Sequence, residues 1–208
     1  MTISYPLSLP ASDCRAKISL TAHNVSEMTR SRFTMEQQVF AHSGQVWMAT
    51  VTLPPLYADD AKAWIAWLVS LRGSVGTFLM GDPVSATPRG SAGGTPLVNG
   101  AGQTGTTLAI DGATASQTGW LKAGDHIQLG SGTTSRLHMV LQDVDTDGSG
   151  NASIDIWPSL RSSPADNAAL TLTSPMTKWR LMSGQIGWEW LPAHVEAGLT
   201  FSAIEAMP

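Results

Sequence analysis

The sequence predicts a mainly β protein: a β-sandwich with one flanking α-helix, interrupted by an inserted small β-barrel or β-sandwich module. Three observations predict it. Both ends of the chain carry runs in which apolar and polar residues alternate, the period of a strand with one buried face. A single stretch, "YADDAKAWIAWLVSLRG", instead spaces its apolar residues as a helix does. From about Ala86 to Pro175 the composition shifts to Gly, Ser, Thr and Pro broken by short apolar bursts, the texture of short strands joined by turns.

In the first third, "RSRFTMEQQVFAHSG" and "QVWMATVTLPPL" predict a β-hairpin over 32–53 that turns at "AHSGQ". Phe33, Met35 and Val39 fall on one side of its first strand. In its second, Trp47, Ala49, Val51 and Leu53 alternate with Val46, Met48, Thr50 and Thr52. Pro54 and Pro55 end that strand, because proline cannot donate to a ladder.

The helix is predicted over 58–72. Asp59 and Asp60 lie in its first turn, where the dipole favours negative charge; Arg72 falls in its last turn, and Gly73 can adopt the left-handed cap. Ala61, Trp64, Ile65, Leu68 and Leu71 form one apolar face, with Trp67 at its margin. Trp64 and Trp67 are expected to pack on the sheet; the competing reading makes one of them a subunit anchor. "GTFLMGDP" then returns as a strand.

The glycine-rich run "SATPRGSAGGTPLVNGAGQTG" reads as turn and linker, with the linker at 86–96 and Pro175 as the edges of the inserted module. Inside it, "TTLAID", "DHIQLG", "RLHMVLQDV", "ASIDIWP" and "ALTLTSP" read as strands. After Pro175, "KWRLM", "GWEWLP" and "LTFSAIEAM" read as longer strands resembling those of the first third. The chain thus divides into 1–85 with 176–208, and an insertion at 86–175, of the kind tolerated where the two ends lie close together.

The 208 residues are 42% hydrophobic and 13% charged, which excludes a disordered chain. The net charge of −4 is scattered, and no basic stripe suggests a grip on phosphates. The opening "MTISYPLSLPASDCR" has no cationic segment followed by an apolar run, so no secretory signal is expected. The longest apolar stretch, near "AWIAWLV", falls short of the roughly 20 residues that span a bilayer, so no membrane insertion is expected. A lone cysteine, Cys14, excludes an internal disulfide and points to assembly in a reducing cytoplasm.

The stretch "DVDTDGSGN" over 143–151 places aspartates at 143, 145 and 147 before a glycine, like the start of an EF-hand loop. Counting from Asp143, the twelfth position is Ile154, where a bidentate glutamate is needed, and the flanks are strand-like rather than helical. The stretch therefore reads as a hairpin tip, with Gly and Asn supplying positive φ. His23, His42, His126, His138 and His194 are dispersed without the spacing of a zinc helix, and Cys14 has no Cys-X-X-Cys partner. No Walker loop, dinucleotide fingerprint or nucleophile elbow occurs. Glu189, Glu196 and Glu205 near tryptophans could imitate a glycosidase pair, but alternation, with Trp188 and Trp190 on one face of "GWEWLP" and Glu189 on the other, is the simpler account. No catalytic residue, cofactor or metal site is expected.

The run "WMATVTLPPLYADDAKAWIAWLVSLRGSVGTFLMGDP" resembles distal tail proteins of long, non-contractile-tailed bacteriophages, in which a strand, a proline-ended turn, a helix ending in "LRG" and an aromatic strand recur. "TPRGSAGGTPLVNGAGQTGTTLAIDG", "LKAGDHIQLG", "DVDTDGSGNASIDIWPSLRSSPADNAAL" and "LTFSAIEA" resemble the continuation, so the likeness runs from about residue 45 onward. It implies a structural virion protein, not an enzyme: a ring, typically of six copies, at the distal end of the tail, joining the tail tube to the tip hub. Residues 1–85 and 176–208 would form a tail-tube-like sandwich, and 86–175 a peripheral module. The implied partners are other copies of the chain, the tube protein, the hub protein and the tape measure protein, with DNA only passing through the channel. The implied location is the virion tail tip, assembled in the host cytoplasm. The alternatives are a carbohydrate-binding tip module using Trp120, Trp157 or Trp188 as stacking platforms, and another minor structural protein of neck or tail. In the ring reading, the hairpin at 32–53 and the helix at 58–72 are the candidates for contacts between subunits and rings.

Overall fold

The computed structural model of the chain describes residues 2–10, 16–192, 195–196 and 198–207; Cys14 and His194 lie outside them. In chain order the elements are β1 (Lys17–Arg30), β2 (Gln37–Thr52), β3 (Leu56–Tyr57), α1 (Ala58–Ser70), β4 (Phe78–Met80), β5 (Gly94–Val98), β6 (Gly105–Ala113), β7 (His126–Leu129), β8 (Arg136–Val140), β9 (Ala152–Leu160), β10 (Leu170–Thr171), β11 (Thr177–Leu181), β12 (Trp190–Leu191), β13 (Val195–Glu196) and β14 (Thr200–Glu205). The protein is mainly β, as its alternation predicts, with one α-helix among the described residues.

Two antiparallel sheets carry the fold. The first is ordered β1-β2-β14-β11-β4, the second β10-β7-β8-β9-β6-β5; a small third sheet is β12-β13-β3. The second sheet curls until its ends nearly meet: the Val98 N–H donates to the Ala168 carbonyl at 2.9 Å, and the Asn167 N–H to that of Val98 at 2.9 Å. Closing a sheet in this way removes its free edges.

Each large sheet has its own core. Trp47, Val51, Leu53, Trp64, Leu68, Phe78, Trp179 and Phe201 belong to one cluster, and Leu108, Ile110, Trp120, Ile127, Ile154 and Ile156 to the other. The buried indoles find backbone carbonyls, as a donor removed from water must: Trp179 Nε1 donates to Met80 O, Trp120 Nε1 to Gly93 O and Trp67 Nε1 to Ser8 O, each at 2.8 Å.

The inward parity of Trp47, Ala49, Val51 and Leu53 is realised, but the predicted hairpin is not. Strand β2 runs unbroken through "AHSGQ", and its partner is β1, which the sequence reading did not identify. The turn sits instead at 31–36, where Ser31 Oγ accepts from the Phe33 and Thr34 N–H groups and Met35 takes φ +60°. "HSG" is a bulge: the pairing shifts from Asn24–Gln45 to Ser26–Ala41, leaving His42, Ser43 and Gly44 opposite Val25. A side chain at Gly44 would press on the Val25 methyl, which is why the close approach needs glycine.

The helix ends at Ser70, two residues short of its predicted limit, so Arg72 is outside it with φ +51°, beside Gly73 at +67°. Trp67 is buried rather than marginal, edge-on to Trp64 and Phe78. With Trp64 also buried, neither helix tryptophan offers a subunit anchor. The run taken as linker contains β5 from Gly94, and "GWEWLP" contributes only the two residues of β12, leaving Trp188 and Glu189 outside any strand. Glycine and proline content misled the first reading; in the second, Gly187 and Pro192 leave too little alternation to form a ladder.

Candidate functional site: a projecting β arm and its anchor

The lower half of the β1–β2 pair joins the core, whereas its upper half projects beyond it. From Thr21 to Gly44 every residue but Ser31 is exposed, and the ten-residue span from Thr21 to Ser31 reaches about 30 Å at strand rise. The arm is not polar. Val25, Met28, Met35, Val39 and Phe40 are exposed, and Phe33 at the tip is 98% exposed. Met28 pairs with Val39 and Glu27 with Phe40, so apolar groups project from both faces of the ribbon. Strand β1 is also the edge of its sheet, which leaves one row of its backbone N–H and C=O groups without a strand partner.

At the base of the arm, β2 meets the second sheet through Trp47. Its Nε1 donates to Leu137 O at 3.0 Å, and its ring stands edge-on to Trp157 with centroids 4.5 Å apart. Trp157 Nε1 donates to Asn24 Oδ1 at 2.7 Å, tying β9 to β1. The His126 ring lies 5.7 Å from that of Trp47; it is buried, and neither of its nitrogens has a hydrogen-bond partner among the described residues. Burial pulls its pKa down, against the smaller opposing pull of Asp82 and Asp125.

Beside Trp47 lies a buried ionic node. The Glu205 side chain is 1% exposed; its Oε2 is 3.1 Å from Arg161 Nη2 and accepts from the Trp47 N–H at 3.4 Å, while its Oε1 accepts from Thr177 Oγ1 at 3.4 Å. Arg161 Nη2 also donates to Gln45 O. The node links β2, β14, β11 and the segment after β9, joining the two sheets by charge as Trp47 joins them by packing.

The residues singled out in the sequence do not converge. Glu205 sits in this node, Glu196 is buried on β13 and accepts from the Gly198 N–H at 2.7 Å, and Glu189 is exposed in a loop. Trp120 is fully buried, which removes it as a sugar platform; Trp157 is half-buried, with its indole N–H on Asn24, and Trp188 is 47% exposed. His23 and His42 lie exposed on the arm, whereas His126 and His138 are buried. Sequence parity carried an unread signal for Glu205, since it alternates inward with Phe201 and Ala203.

The stretch 143–151 connects β8 to β9, which are antiparallel neighbours, so it does link a strand pair as predicted. It is longer than a hairpin tip, spanning 141–151 and bridging to Leu121 at Val144, and of Gly148, Gly150 and Asn151 only Gly150 takes positive φ. Its carboxylates are engaged locally. Asp143 accepts from the Ala123 N–H and from Lys122 Nζ, Asp145 from the Gly119 N–H, and Asp147 from Ser149 and from the backbone and side chain of Asn151. These bonds hold Asp143 below the usual carboxylate range, chiefly through the Ala123 N–H, and Asp147 likewise, chiefly through the Asn151 side chain. Among the described residues no group of three His, Cys, Asp or Glu could hold a metal ion, and no helix is long and apolar enough to cross a membrane.

Fold and arm together define the class: a mainly β chain whose five-stranded sheet ends in an unsupported apolar ribbon, with a nearly closed six-stranded sheet docked at the ribbon's base. No protein-family model and no curated protein matches the chain.

Proposed function

We propose that the protein is a structural, non-enzymatic component of a phage tail, forming a ring at the distal end that joins the tail tube to the tip hub. The observation that carries this reading is the arm. A two-stranded ribbon is marginal in water by itself, and one bearing Phe33, Met28, Val39 and Phe40 in the open, along an unpaired edge strand, is stabilised when other chains cover it. Closed rings cover every such edge at once, and repeated contacts gain strength from closure. The sequence resemblance supplies the tail context. Residues 1–85 and 176–208 would build the ring, with 86–175 on its periphery. The carbohydrate-binding reading has less support, because Trp120 is fully buried and Trp157 is half-buried.

Mass photometry of the purified protein, alone and with its tube protein, tests this. A closed oligomer that Phe33→Glu with Val39→Lys converts to folded monomers is the expected result. A wild-type chain that stays monomeric under both conditions, or an oligomer indifferent to the arm variants, would overturn the proposal.

A further inference from the structure

A cavity of about 380 Å³ opens beside the ionic node, between the ends of β7 and β8, the segment that follows β9, and Glu205 of β14. It lies within the size range of small-molecule sites. Its wall holds more positive than negative charge. Arg136 and Arg161 both line it, whereas Glu205 is its only carboxylate among the described residues. Arg161 and Glu205 satisfy each other at 3.1 Å. Arg136 has no such partner: among the described residues it forms no ion pair, and its Nη1 donates only to the carbonyls of Ser135 at 3.2 Å and Ala206 at 3.3 Å.

A half-buried guanidinium outside ion-pair distance of any carboxylate is costly; desolvation is the leading influence lowering the pKa of Arg136, opposed by the attraction of Glu205, with Arg161 adding a smaller repulsion. His138, also in the wall, donates from Nδ1 to Pro158 O, 2.7 Å away, and burial lowers its pKa, which favours the uncharged ring. The formal balance of the wall is therefore one positive charge. The exposed Ser162 and Ser163, which follow Arg161 in the chain, also line the cavity, the Ser163 hydroxyl donating to Pro164 O at 3.2 Å, and Leu160 gives an apolar surface.

We propose that this cavity binds a small hydroxylated carboxylate, its carboxylate on Arg136 and its hydroxyls toward Ser162 and Ser163. A planar guanidinium fork matches a carboxylate in geometry, and one negative charge balances the wall, whereas a phosphate dianion would leave an excess beside buried Glu205. The full-length protein can be titrated with glucuronate, glucose and inorganic phosphate by calorimetry and by amide chemical-shift mapping. Saturable glucuronate binding is expected, at least tenfold tighter than phosphate, with none for glucose, and weakened about tenfold by Arg136→Gln, as loss of a charge-assisted contact implies. Glucuronate that does not saturate, glucose binding equally well, phosphate binding as tightly, or a folded Arg136→Gln variant with unchanged affinity would each overturn it. If that variant does not fold, the wild-type map decides: perturbed amides must cluster at Gly130, Thr134, Ser162 and Ser163, and a map centred elsewhere refutes the site.

Discussion

Replacing Glu205 with glutamine keeps the shape of the side chain and removes its charge. At 3.1 Å from Arg161, with an effective dielectric of about 20, the Coulomb attraction is about 5 kcal/mol, most of which desolvation takes back in the intact pair. The variant strands the arginine instead. Breaking a buried pair costs about 3–5 kcal/mol, but the Arg161 side chain is 21% exposed and water recovers part of its solvation. The glutamine carbonyl oxygen can still accept from the Trp47 N–H, and its NH2 can donate to Thr177 Oγ1, which then donates to Ser135 O. We therefore expect Glu205→Gln to destabilise the protein by about 2–3 kcal/mol. Urea unfolding followed by tryptophan fluorescence measures this, and a double-mutant cycle with Arg161→Met isolates the pair, with an expected coupling of about 2 kcal/mol. A loss under about 0.5 kcal/mol, or a cycle with no coupling, would refute the node as the joint between the sheets.

His126 and His138 both have pKa values lowered by burial from about 6.5, so their contribution to stability is complete above that pH and is lost as pH falls below it. Denaturation at pH 7, 6 and 5 should show stability declining by at most about 1.4 kcal/mol per pH unit per histidine, and His126→Phe should flatten the decline. At pH 7 the same variant removes two unpartnered nitrogens and should raise stability by about 1 kcal/mol, read from the urea midpoint. Gly150 has φ +79°, and a Cβ there would overlap the Ala113 carbonyl oxygen; Gly150→Ala should cost about 2 kcal/mol or more in thermal melts. Calcium added to millimolar concentration should give no saturable heat, because the aspartates at 143, 145 and 147 already accept local hydrogen bonds.

Alternation made most of the core legible: Trp47 to Leu53 on β2, Phe201 and Ala203 on β14, and Ala61, Trp64 and Leu68 on α1 all face inward as their periods require. The arm was not legible, for a physical reason. Only Ile18 and Leu20 near the base of β1 are even partly buried, and a strand exposed on both faces has no period to read. "AHSGQ" has the composition of a turn yet forms a bulge, since composition does not distinguish a chain that reverses from one that buckles. The arginine cavity also escaped notice, because Arg136, Arg161 and Glu205 are far apart in the chain and meet only through the docking of the sheets.

Strand β2 has one further consequence, which is mechanical. It is a single covalent span from the arm to Trp47, hydrogen-bonded to β1 along its length and to β14 over its lower part. A pull on the tip directed along the strands loads the β2–β14 bonds in shear, so that they must yield together, whereas a sideways pull would peel them one after another. The ribbon is therefore strong in one direction and weak in the other, and tension on it is delivered to the Trp47 contact at its foot.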